Sequence, residues 1–359
     1  MTHLVPLSCQ YRGVNLPPLP ERPGVSYVMP VLNEEPYLEA AVRTILAQSY
    51  QGEKEIVLAL GPSTDRSNEI ADRLAAEDPR VRLVDNPGRD IPIGLNLAIA
   101  ASRHPVVIRV DAHSELTPDY TSAGIAALRR ESAANVGGIM RAAGRGPVQR
   151  AIAAAYNSPF GLGGGAYHGD GQPGPAESAY LGIFRREALR AVGGYDPHIR
   201  RGEDWELNLR IRAAGGTVWF EPALRVTYWP RASLGDLRRQ FFATGAWRAV
   251  LVRRYPRANP WRFFVPGALV LGLTLSLAVL ALQLTGVVPW AWWSVVHASP
   301  LAYAGGVTFA ATRLPGLRGA RERLLGAAAL VTMHLSWGAG FLAGIAGGAD
   351  RTVDRSRAR

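Results

Sequence analysis

The 359-residue chain has a net charge of +11, 48% hydrophobic residues and a mean hydropathy of +0.01. This length accommodates one large or two modest domains, and a hydropathy near zero with so many apolar residues indicates a soluble part joined to a membrane part. Lys54 is the only lysine, and the arginines that supply the charge gather near apolar segments, so nucleic-acid binding is a poor explanation of the charge. The single cysteine, Cys9, excludes an intrachain disulfide and agrees with a reducing cytoplasm.

The N-terminal part of the chain alternates between strand and helix patterns. Residues 1–24 predict an irregular lead-in, without the charged start and apolar core of a signal peptide. Buried strands are then predicted at Val25–Met29, Ile56–Leu60, Val81–Val84 and Val106–Val110. Helices are predicted after Pro36, around Ile70 and Leu74, and at Ile93–Ala101. This alternation predicts a parallel sheet with right-handed crossovers, whose ligands bind beyond the carboxyl ends of the strands.

The alternation loosens after Asn135. A glycine-rich segment, Gly161–Gly174, predicts a long loop, and a strand at Ala179–Phe184 and a short helix at Arg186–Val192 follow it. The four residues Gly193-Gly194-Tyr195-Asp196 predict a tight turn. A further helix is predicted to begin at the acidic pair Glu203-Asp204 and to end at Gly215-Gly216.

Three apolar segments near the C-terminus are candidate membrane spans: Phe263–Leu284, Val287–Ala311 and Leu324–Gly348. Proline and histidine interrupt the second, so a re-entrant or interfacial segment is an alternative. Arginines precede the first span and separate the second from the third, which by the positive-inside rule places the N-terminal domain in the cytoplasm. Three spans would leave the four arginines after Asp350 outside, and a two-span or four-span topology would remove that conflict.

These patterns predict five regions. They are the lead-in at 1–24, an α/β domain at 25–250, a basic juxtamembrane segment at 251–262, a membrane domain at 263–348 and a basic tail at 349–359.

The triplet Asp111-Ala112-His113 ends the fourth predicted strand, and Glu203-Asp204-Trp205 lies about ninety residues downstream. Residues two apart in an extended strand point to the same side, so Asp111 and His113 can face one divalent cation. A carboxylate with an imidazole suits Mg²⁺ or Mn²⁺ carrying a diphosphate, which indicates metal-assisted group transfer. Taken alone, an aspartate at the end of a strand is more often a turn or helix cap.

Six motifs follow one another along the chain. They are Pro30-Val31-Leu32-Asn33-Glu34-Glu35, Ser63-Thr64-Asp65, Gly94-Leu95-Asn96, Asp111-Ala112-His113, Gly193-Gly194-Tyr195-Asp196 and Glu203-Asp204-Trp205-Glu206-Leu207. Their order resembles that of glycosyltransferase family 2. Asp-Ala-His in place of the commoner Asp-x-Asp, together with C-terminal membrane spans, resembles the succinoglycan-type exopolysaccharide branch. The resemblance covers roughly Val25 to Arg248 and depends on ordered spacing rather than on one motif.

The resemblance implies the nucleotide-diphospho-sugar transferase (GT-A) fold, an α/β Rossmann-like, mostly parallel sheet, here with C-terminal transmembrane helices. It also implies inverting transfer of a sugar from a nucleotide-diphospho-sugar to an acceptor hydroxyl, with Mg²⁺ or Mn²⁺ as cofactor. Donor-binding residues carried over from the family are Pro30, Asn33, Glu34, Asp65, Asn96 and Asp111. The implied metal ligands are Asp111 and His113, and the implied acceptor side comprises Gly194, Tyr195, Asp196 and Trp205.

Inversion requires a carboxylate that takes the proton from the attacking hydroxyl. Asp204, with Glu203 beside it, is the candidate, because a helix N-terminus favours the ionised form. A purely N-capping acidic pair is the alternative.

The chain departs from the family at Leu60-Gly61-Pro62-Ser63-Thr64-Asp65, where many relatives have a second acidic residue that recognises the base. Uridine specificity is therefore doubtful, and guanosine or other donors stay open.

Two further functions compete with the leading prediction, a multi-pass cell-membrane enzyme that acts on a lipid-linked or glycan acceptor at the cytoplasmic face. One is a polyprenyl-phosphate glycosyltransferase, whose acceptor phosphate needs no base. The other is a non-catalytic assembly protein that binds a nucleotide-sugar. The segment from Gln240 to Trp247-Arg248 resembles the Gln-x-x-Arg-Trp signature of processive relatives, but its different spacing favours transfer of a single sugar.

Overall fold

The computed structural model describes residues 13–162, 171–347 and 349, and these residues form two compact units. The first unit contains the described residues up to Arg141 and from 171 to Trp229. The second contains Ala142 to 162 and the described residues from Pro230 onward.

The first unit is a sheet with helices on its faces. Its strands are β1 (Val25–Val31), β2 (Lys54–Leu60), β3 (Val81–Asp85), β4 (Val106–Arg109), β5 (Ser114–Leu116), β6 (Asn135–Ala142), β7 (Gly174–Pro175), β8 (Tyr180–Arg185) and β9 (Val218–Tyr228). Its helices are α1 (Leu38–Leu46), α2 (Ser67–Glu77), α3 (Ile91–Ala101), α4 (Tyr120–Arg130), α7 (Arg186–Ala191) and α8 (Glu203–Ala213). The second unit contains α5 (Pro147–Tyr156), α6 (Pro159–Leu162), α9 (Leu234–Arg254), α10 (Val265–Leu284), α11 (Ala298–Arg313) and α12 (Gly319–Ile345).

The sheet is mixed, with strand order β3-β2-β1-β4-β8-β6-β9-β5 and β7 paired to β9. The predicted parallel pairing is confirmed for β1 to β4, in which Val28 lies opposite both Val57 and Arg109. From β4 onward the pairing is antiparallel, as between β4 and β8. The predicted strands, short helices and tight turn are found within one or two residues, whereas β5, β6, β9, α4 and α5 were not predicted. The predicted loop Gly161–Gly174 falls partly on residues 163–170, outside the described residues.

Both faces of the parallel strands are buried, which explains why these strands are almost continuously apolar. On one face Tyr27 and Met29 join a core with Val42 of α1, and on the other Val28 joins a core with Leu95 of α3. Because helices cover both faces, ligand access to this part of the sheet is confined to the strand ends, where the polar residues follow β1, β2 and β4.

In the second unit, α10 and α12 are long and apolar enough to cross a membrane by length and composition. They correspond to the first and third predicted spans. The second predicted span, 287–311, instead contains a 3₁₀ turn, Trp292–His297, and the 16-residue α11, which is shorter than the roughly 20 residues that a spanning helix needs. Helix α9 runs without interruption through position 250, where the catalytic domain was predicted to end.

Gly138 of β6 lies where the chain leaves no room for a side chain. A Cβ at this position would lie 2.0 Å from the carbonyl oxygen of Leu224 on β9. We expect Gly138→Ala to lower the free energy of unfolding by about 1–3 kcal/mol, because the two strands would have to separate. Thermal melting in detergent measures this, with Gly174→Ala as control, since nothing lies within 4 Å of a Cβ there. Equal melting temperatures for the two variants would contradict the packing described.

Candidate active site

Arg109, the last residue of β4, lies at the centre of a cluster of carboxylates. Its side chain is 5% exposed and pairs with Asp111 (Nε to Oδ1, 3.1 Å), Glu203 (Nη2 to Oε1, 3.1 Å) and Asp204 (Nη1 to Oδ1). A buried guanidinium requires such partners, and its fork of donors can serve several carboxylates at once. Arg109 therefore joins the end of β4 to the start of α8, two segments about ninety residues apart in the sequence.

The first turn of α8 places the acidic pair. Gly202, at the N-cap, has φ +75, a left-handed conformation that glycine adopts without strain. Further along the helix, Arg210 forms a buried two-pronged ion pair with Glu206, with distances of 2.8 and 2.7 Å. Arg210 also donates a 2.6 Å hydrogen bond to the carbonyl oxygen of Val192. These bonds hold α8 against the turn at 192–195, so Glu203 and Asp204 are presented by a fixed helix end.

The predicted helix N-terminus is confirmed, but it does not keep the pKa of Asp204 low. Burial raises this pKa to about 7, against the opposing effect of Arg109, and the nearby carboxylates Glu203 and Asp111 add to the rise. The side chain retains 30% of its surface exposed, so a second molecule can reach the carboxylate. A carboxylate with a pKa near neutrality is suited to accept a proton in a reaction step.

Asp111 and His113 do not lie on one strand face as predicted, because the chain turns at residues 112 and 113. Asp111 pairs with Arg109, whereas His113 Nδ1 lies 3.2 Å from Glu34 Oε1 and the His113 ring packs edge-on against Tyr228. Within the described ranges, no group of three or more His, Cys, Asp or Glu side chains could hold a metal ion. A single carboxylate fits Mg²⁺ or Mn²⁺ that is bound mainly by substrate phosphates and water.

Asn33 fastens the loop after β1 to the loop after β2. Its φ of +55 is a left-handed conformation that asparagine tolerates better than most residues. The Asn33 amide nitrogen donates to Ser63 Oγ (3.1 Å), and its side-chain Oδ1 accepts from the Thr64 amide (2.7 Å). Asn33, predicted to bind the donor, thus lies at the carboxyl ends of two parallel strands.

Asp65, also predicted to bind the donor, strengthens the same connection. Its Oδ2 accepts from the Glu35 amide (3.1 Å), and its Oδ1 accepts from the amide and hydroxyl of Ser67 (3.0 and 2.6 Å). Ser67 Oγ in turn accepts from the amide of Glu34 (2.7 Å), whose side chain is buried. In this structure Asp65 therefore shapes the loop, and its contact with a donor stays a prediction. Pro30 lies within β1, opposite Ala59.

Asn96 on α3 holds the predicted acceptor-side turn. Its Nδ2 donates to the Tyr195 carbonyl (2.7 Å), and its Oδ1 accepts from the Tyr195 amide (2.9 Å). Gly194 in this turn has φ +73, and a Cβ there would lie 2.7 Å from Asn96 Oδ1, so both the backbone conformation and the space require glycine. Asn96 thus positions the turn, and its contact with the donor stays a prediction.

The residues predicted for the acceptor side differ in accessibility. The Tyr195 ring is 2% exposed, and its centroid is 5.9 Å from Arg109 Cζ, so it packs behind the charged cluster. Trp205 is also buried, at 7% exposure. Asp196 accepts a hydrogen bond from the His198 amide (2.9 Å). Tyr195 and Trp205 are therefore both buried, and direct contact of any of these residues with an acceptor stays a prediction.

Two functional features were missed from the sequence, the Arg109 hub and the Glu206–Arg210 pair. The signal for the first was present, since Arg109 is the one charged residue between Val106 and Val110 in a strand predicted to be buried. A charged residue within such a strand requires partners, and the nearby acidic motifs were candidates.

The family model "Glycosyl transferase family 2" matches residues 26–193. The chain is 35% identical over 317 residues to "Succinoglycan biosynthesis protein ExoA" of Rhizobium meliloti (strain 1021), which covers 88% of this chain and 92% of that relative. It is 21% identical over 239 residues to "Dolichyl N-acetyl-alpha-D-glucosaminyl phosphate 3-beta-D-2,3-diacetamido-2,3-dideoxy-beta-D-glucuronosyltransferase" of Methanococcus voltae, which covers 64% of this chain and 74% of that relative.

Among solved structures, the fold is similar to "Mannosyltransferase PcManGT from Pyrobaculum calidifontis in complex with GDP-Man and Mn2+". The TM-score is 0.61 with 18% identity, over 90% of this chain and 87% of the mannosyltransferase. This similarity concerns the fold, and the sequence matches concern the family. Together with the order of the motifs along the chain, they show that the chain is a glycosyltransferase, belongs to glycosyltransferase family 2 and has the GT-A fold.

Proposed function

We propose that this protein is a membrane-anchored inverting glycosyltransferase. It moves a sugar from a nucleotide-diphospho-sugar to a hydroxyl of a lipid-linked or polysaccharide acceptor at the cytoplasmic face of the cell membrane. The observation that carries the proposal is Asp204, a reachable carboxylate with a pKa raised to about 7 and held by Arg109 next to Asp111.

In the proposed reaction, the acceptor hydroxyl oxygen attacks the anomeric carbon of the donor sugar. Asp204 takes the hydroxyl proton, and the bond between the anomeric carbon and the diphosphate oxygen breaks, with its electron pair leaving on the diphosphate. Attack from the side opposite the leaving group inverts the configuration. Glu203 is not the proton acceptor in this scheme, since its role is to hold Arg109, which in turn orients Asp204.

The charges of the site favour a cation. Three carboxylates against one guanidinium leave a net charge of about −2 when Asp111, Glu203 and Asp204 are all ionised. When Mg²⁺ or Mn²⁺ is bound with the donor, it neutralises charge on the departing diphosphate. Asp111 is the residue proposed to hold this ion, with His113, oriented by Glu34, as the second proposed ligand.

The donor and acceptor are proposed by class. The mannosyltransferase with the similar fold was solved with GDP-Man and Mn²⁺, which supports a nucleotide-diphospho-sugar donor and keeps guanosine among the candidate bases. The loop between β2 and α2 retains only Asp65 of the acidic residues common in the family. The relative named for succinoglycan biosynthesis supports an exopolysaccharide-type acceptor, built on a lipid or on a growing glycan.

Helix α10 supports attachment to the membrane. It exposes large apolar side chains along its length, with Leu271, Leu277 and Leu284 exposed by 57%, 68% and 73%. Trp261 precedes it and Trp292 follows it, and indole rings are favoured where hydrocarbon meets headgroups. Arginines precede the helix, which by the positive-inside rule favours the cytoplasmic side for the catalytic domain.

A donor screen tests the proposal. The purified full-length protein in detergent would be supplied with a panel of UDP-, GDP- and other nucleotide-sugars, Mg²⁺ or Mn²⁺, and membrane lipid extract as acceptor source. We expect metal-dependent release of nucleoside diphosphate from one donor, lost in Asp111→Ala at a temperature at which melting shows that the variant is still folded. Binding of a donor without turnover would support a nucleotide-sugar-binding assembly protein instead.

The pH dependence follows from the pKa of Asp204. A base acts when it is ionised, and a pKa raised to about 7 means that Asp204 holds its proton below neutrality. We therefore expect kcat/KM to fall about tenfold for each pH unit below 7 and to level off above it. Asp204→Asn should lower the rate by about 10²–10⁴-fold, with exposed Asp72→Asn unchanged. A flat profile, or an active Asp204→Asn, would point to an acceptor that is already ionised, such as a lipid phosphate.

Arg109→Gln leaves three carboxylates close together without their counter-charge. We expect the free energy of unfolding to fall by about 3–5 kcal/mol and the pH profile to move to higher pH, because the pKa of Asp204 rises further. Arg109→Lys keeps the charge but loses the fork of donors. Its free energy of unfolding and its pH profile should therefore lie between those of the wild type and Arg109→Gln. The half-exposed Arg43 is the control, since its ion pairs are solvated and Arg43→Gln should leave the melting temperature almost unchanged. If Arg109→Gln had the melting temperature and pH profile of the wild type, the proposed role of Arg109 in holding Asp204 would be wrong.

A further inference from the structure

Helix α12 is apolar enough to cross a bilayer, yet it packs against other helices along its length. From Leu325 to Gly344 none of its residues is exposed. Gly338 and Gly340 allow close backbone contacts, because a Cβ on them would lie 2.1 Å from the Pro266 carbonyl oxygen and 2.0 Å from the Phe242 carbonyl oxygen. Helix α10 contrasts with this, since large apolar side chains are exposed along its length.

The start of α12 is fastened to α5. Glu322, in the first turn of α12, pairs with Arg150, in the first turn of α5, at 3.2 Å. Midway along α12, His334 Nε2 lies 2.7 Å from the carbonyl oxygen of Phe160 in α6. Only four residues separate the end of β6 at Ala142 from the start of α5 at Pro147, and so short a connection cannot cross a bilayer.

The end of α12 is fastened to α9. Arg253, in the last turn of α9, donates from Nη1 to the carbonyl oxygens of Gly344 (2.5 Å) and Ile345 (3.1 Å). Phe242 contacts Gly340, and Ala246 contacts Gly344, so α9 and α12 run in the same direction side by side. Helix α9 is no candidate for crossing, since five arginines lie along it: Arg238, Arg239, Arg248, Arg253 and Arg254.

Crossing by α12 would separate two groups of arginines. One group, Arg313, Arg318, Arg321 and Arg323, flanks the start of α12. The other, Arg253, Arg254, Arg257 and Arg262, lies near its end, where α10 also begins, as the contact of Pro266 with Gly338 shows. If α12 crossed, one group would face the far side of the membrane, against the positive-inside rule, and α9 would be drawn into the hydrocarbon.

The second predicted span is not an independent crossing either. Ser276 on α10 lies 2.7 Å from His297 Nδ1, and Gln283 Oε1 lies 2.8 Å from His297 Nε2. Ser276 and Gln283 are buried at 4% and 3% exposure. These bonds fold the segment up to His297 back along α10 as a hairpin.

We propose that the helical unit binds the membrane from one side, with α12 lying parallel to the bilayer surface as its core. The inserting surface consists of α10, the turn Trp292–His297 and α11, which expose Leu277 (68%), Leu284 (73%), Trp292 (69%) and Leu301 (73%). The occupant of this surface is an anionic lipid bilayer, because arginines border both ends of the apolar face and both groups can then contact headgroups on the same side. The inference rests on the proposed membrane location but not on the proposed chemistry.

Sidedness of labelling tests the proposal. In a Cys9→Ser background, single cysteines would replace exposed residues: Arg321 at the start of α12, Ala346 just after its end, and Asp72 on the catalytic unit. A membrane-impermeant maleimide is then applied to sealed inverted and right-side-out vesicles from cells that make the full chain. We expect all three positions to react in inverted vesicles only. Each variant counts as folded if it retains donor turnover or, where the wild type shows no turnover, if it melts like the wild type.

Reaction of Arg321→Cys and Ala346→Cys from opposite sides would overturn the proposal, as would protection of Ala346→Cys on both sides until detergent is added. Reaction of Asp72→Cys in right-side-out vesicles would instead overturn the cytoplasmic location and leave the question of α12 to the other two positions. A failed donor screen affects neither result.

A substitution on the inserting surface tests whether α10 contacts lipid. Leu277→Asp should lower the fraction of protein retained in carbonate-washed membranes several-fold, whereas Leu97→Asp, at a 38% exposed position on α3, should not. Equal retention of both variants would show that α10 does not contact lipid.

Discussion

The ion pairs of Arg109 are the constraint on which the candidate site depends. Strand β4 carries a guanidinium into the interior, where an unpaired charge would be prohibitive, and α8 carries two carboxylates to the same place. Each charge makes burial of the others tolerable, so the end of β4 and the start of α8 have to meet. Three features position the segments that bring these charges together. They are the left-handed Gly202, the Glu206–Arg210 pair and the turn held by Asn96.

The same arrangement suits a site that must be ready before the substrate arrives. Three side chains that the family resemblance assigns to the donor form hydrogen bonds with the backbone of the surrounding loops: Asn33, Asp65 and Asn96. Loops held in this way lose less conformational entropy when a ligand binds, and a base held by an arginine needs little reorganisation when it accepts a proton. Opposing effects act on the pKa of Asp204: burial and the neighbouring carboxylates raise it, and Arg109 lowers it.

The helical unit shows why apolarity does not specify orientation. Helices α10 and α12 both have the length and composition of a span, but α10 exposes its side chains, whereas α12 packs against helices that include α9 and α5. Enclosure follows from small residues such as Gly340 and Gly344, which permit backbone contact, and from polar contacts at both ends of α12. In such a unit, hydrophobic composition reflects packing against other helices for α12, and for α10 it supports the proposed contact with lipid.

Local patterns were enough to predict the parallel strands β1 to β4, the helix that begins at Glu203, the tight turn at Gly193-Gly194 and the ordered motifs of a glycosyltransferase, because apolar periodicity and turn chemistry are local properties. Long-range packing accounts for the rest: Arg109 joins Asp111 to Asp204, His113 turns to Glu34, burial raises the pKa of Asp204, and α12 packs against other helices. These facts depend on segments about eighty or more residues apart and on the burial that their packing creates. A local sequence pattern does not show which distant residue will pair with a buried charge, and the site depends on that pairing.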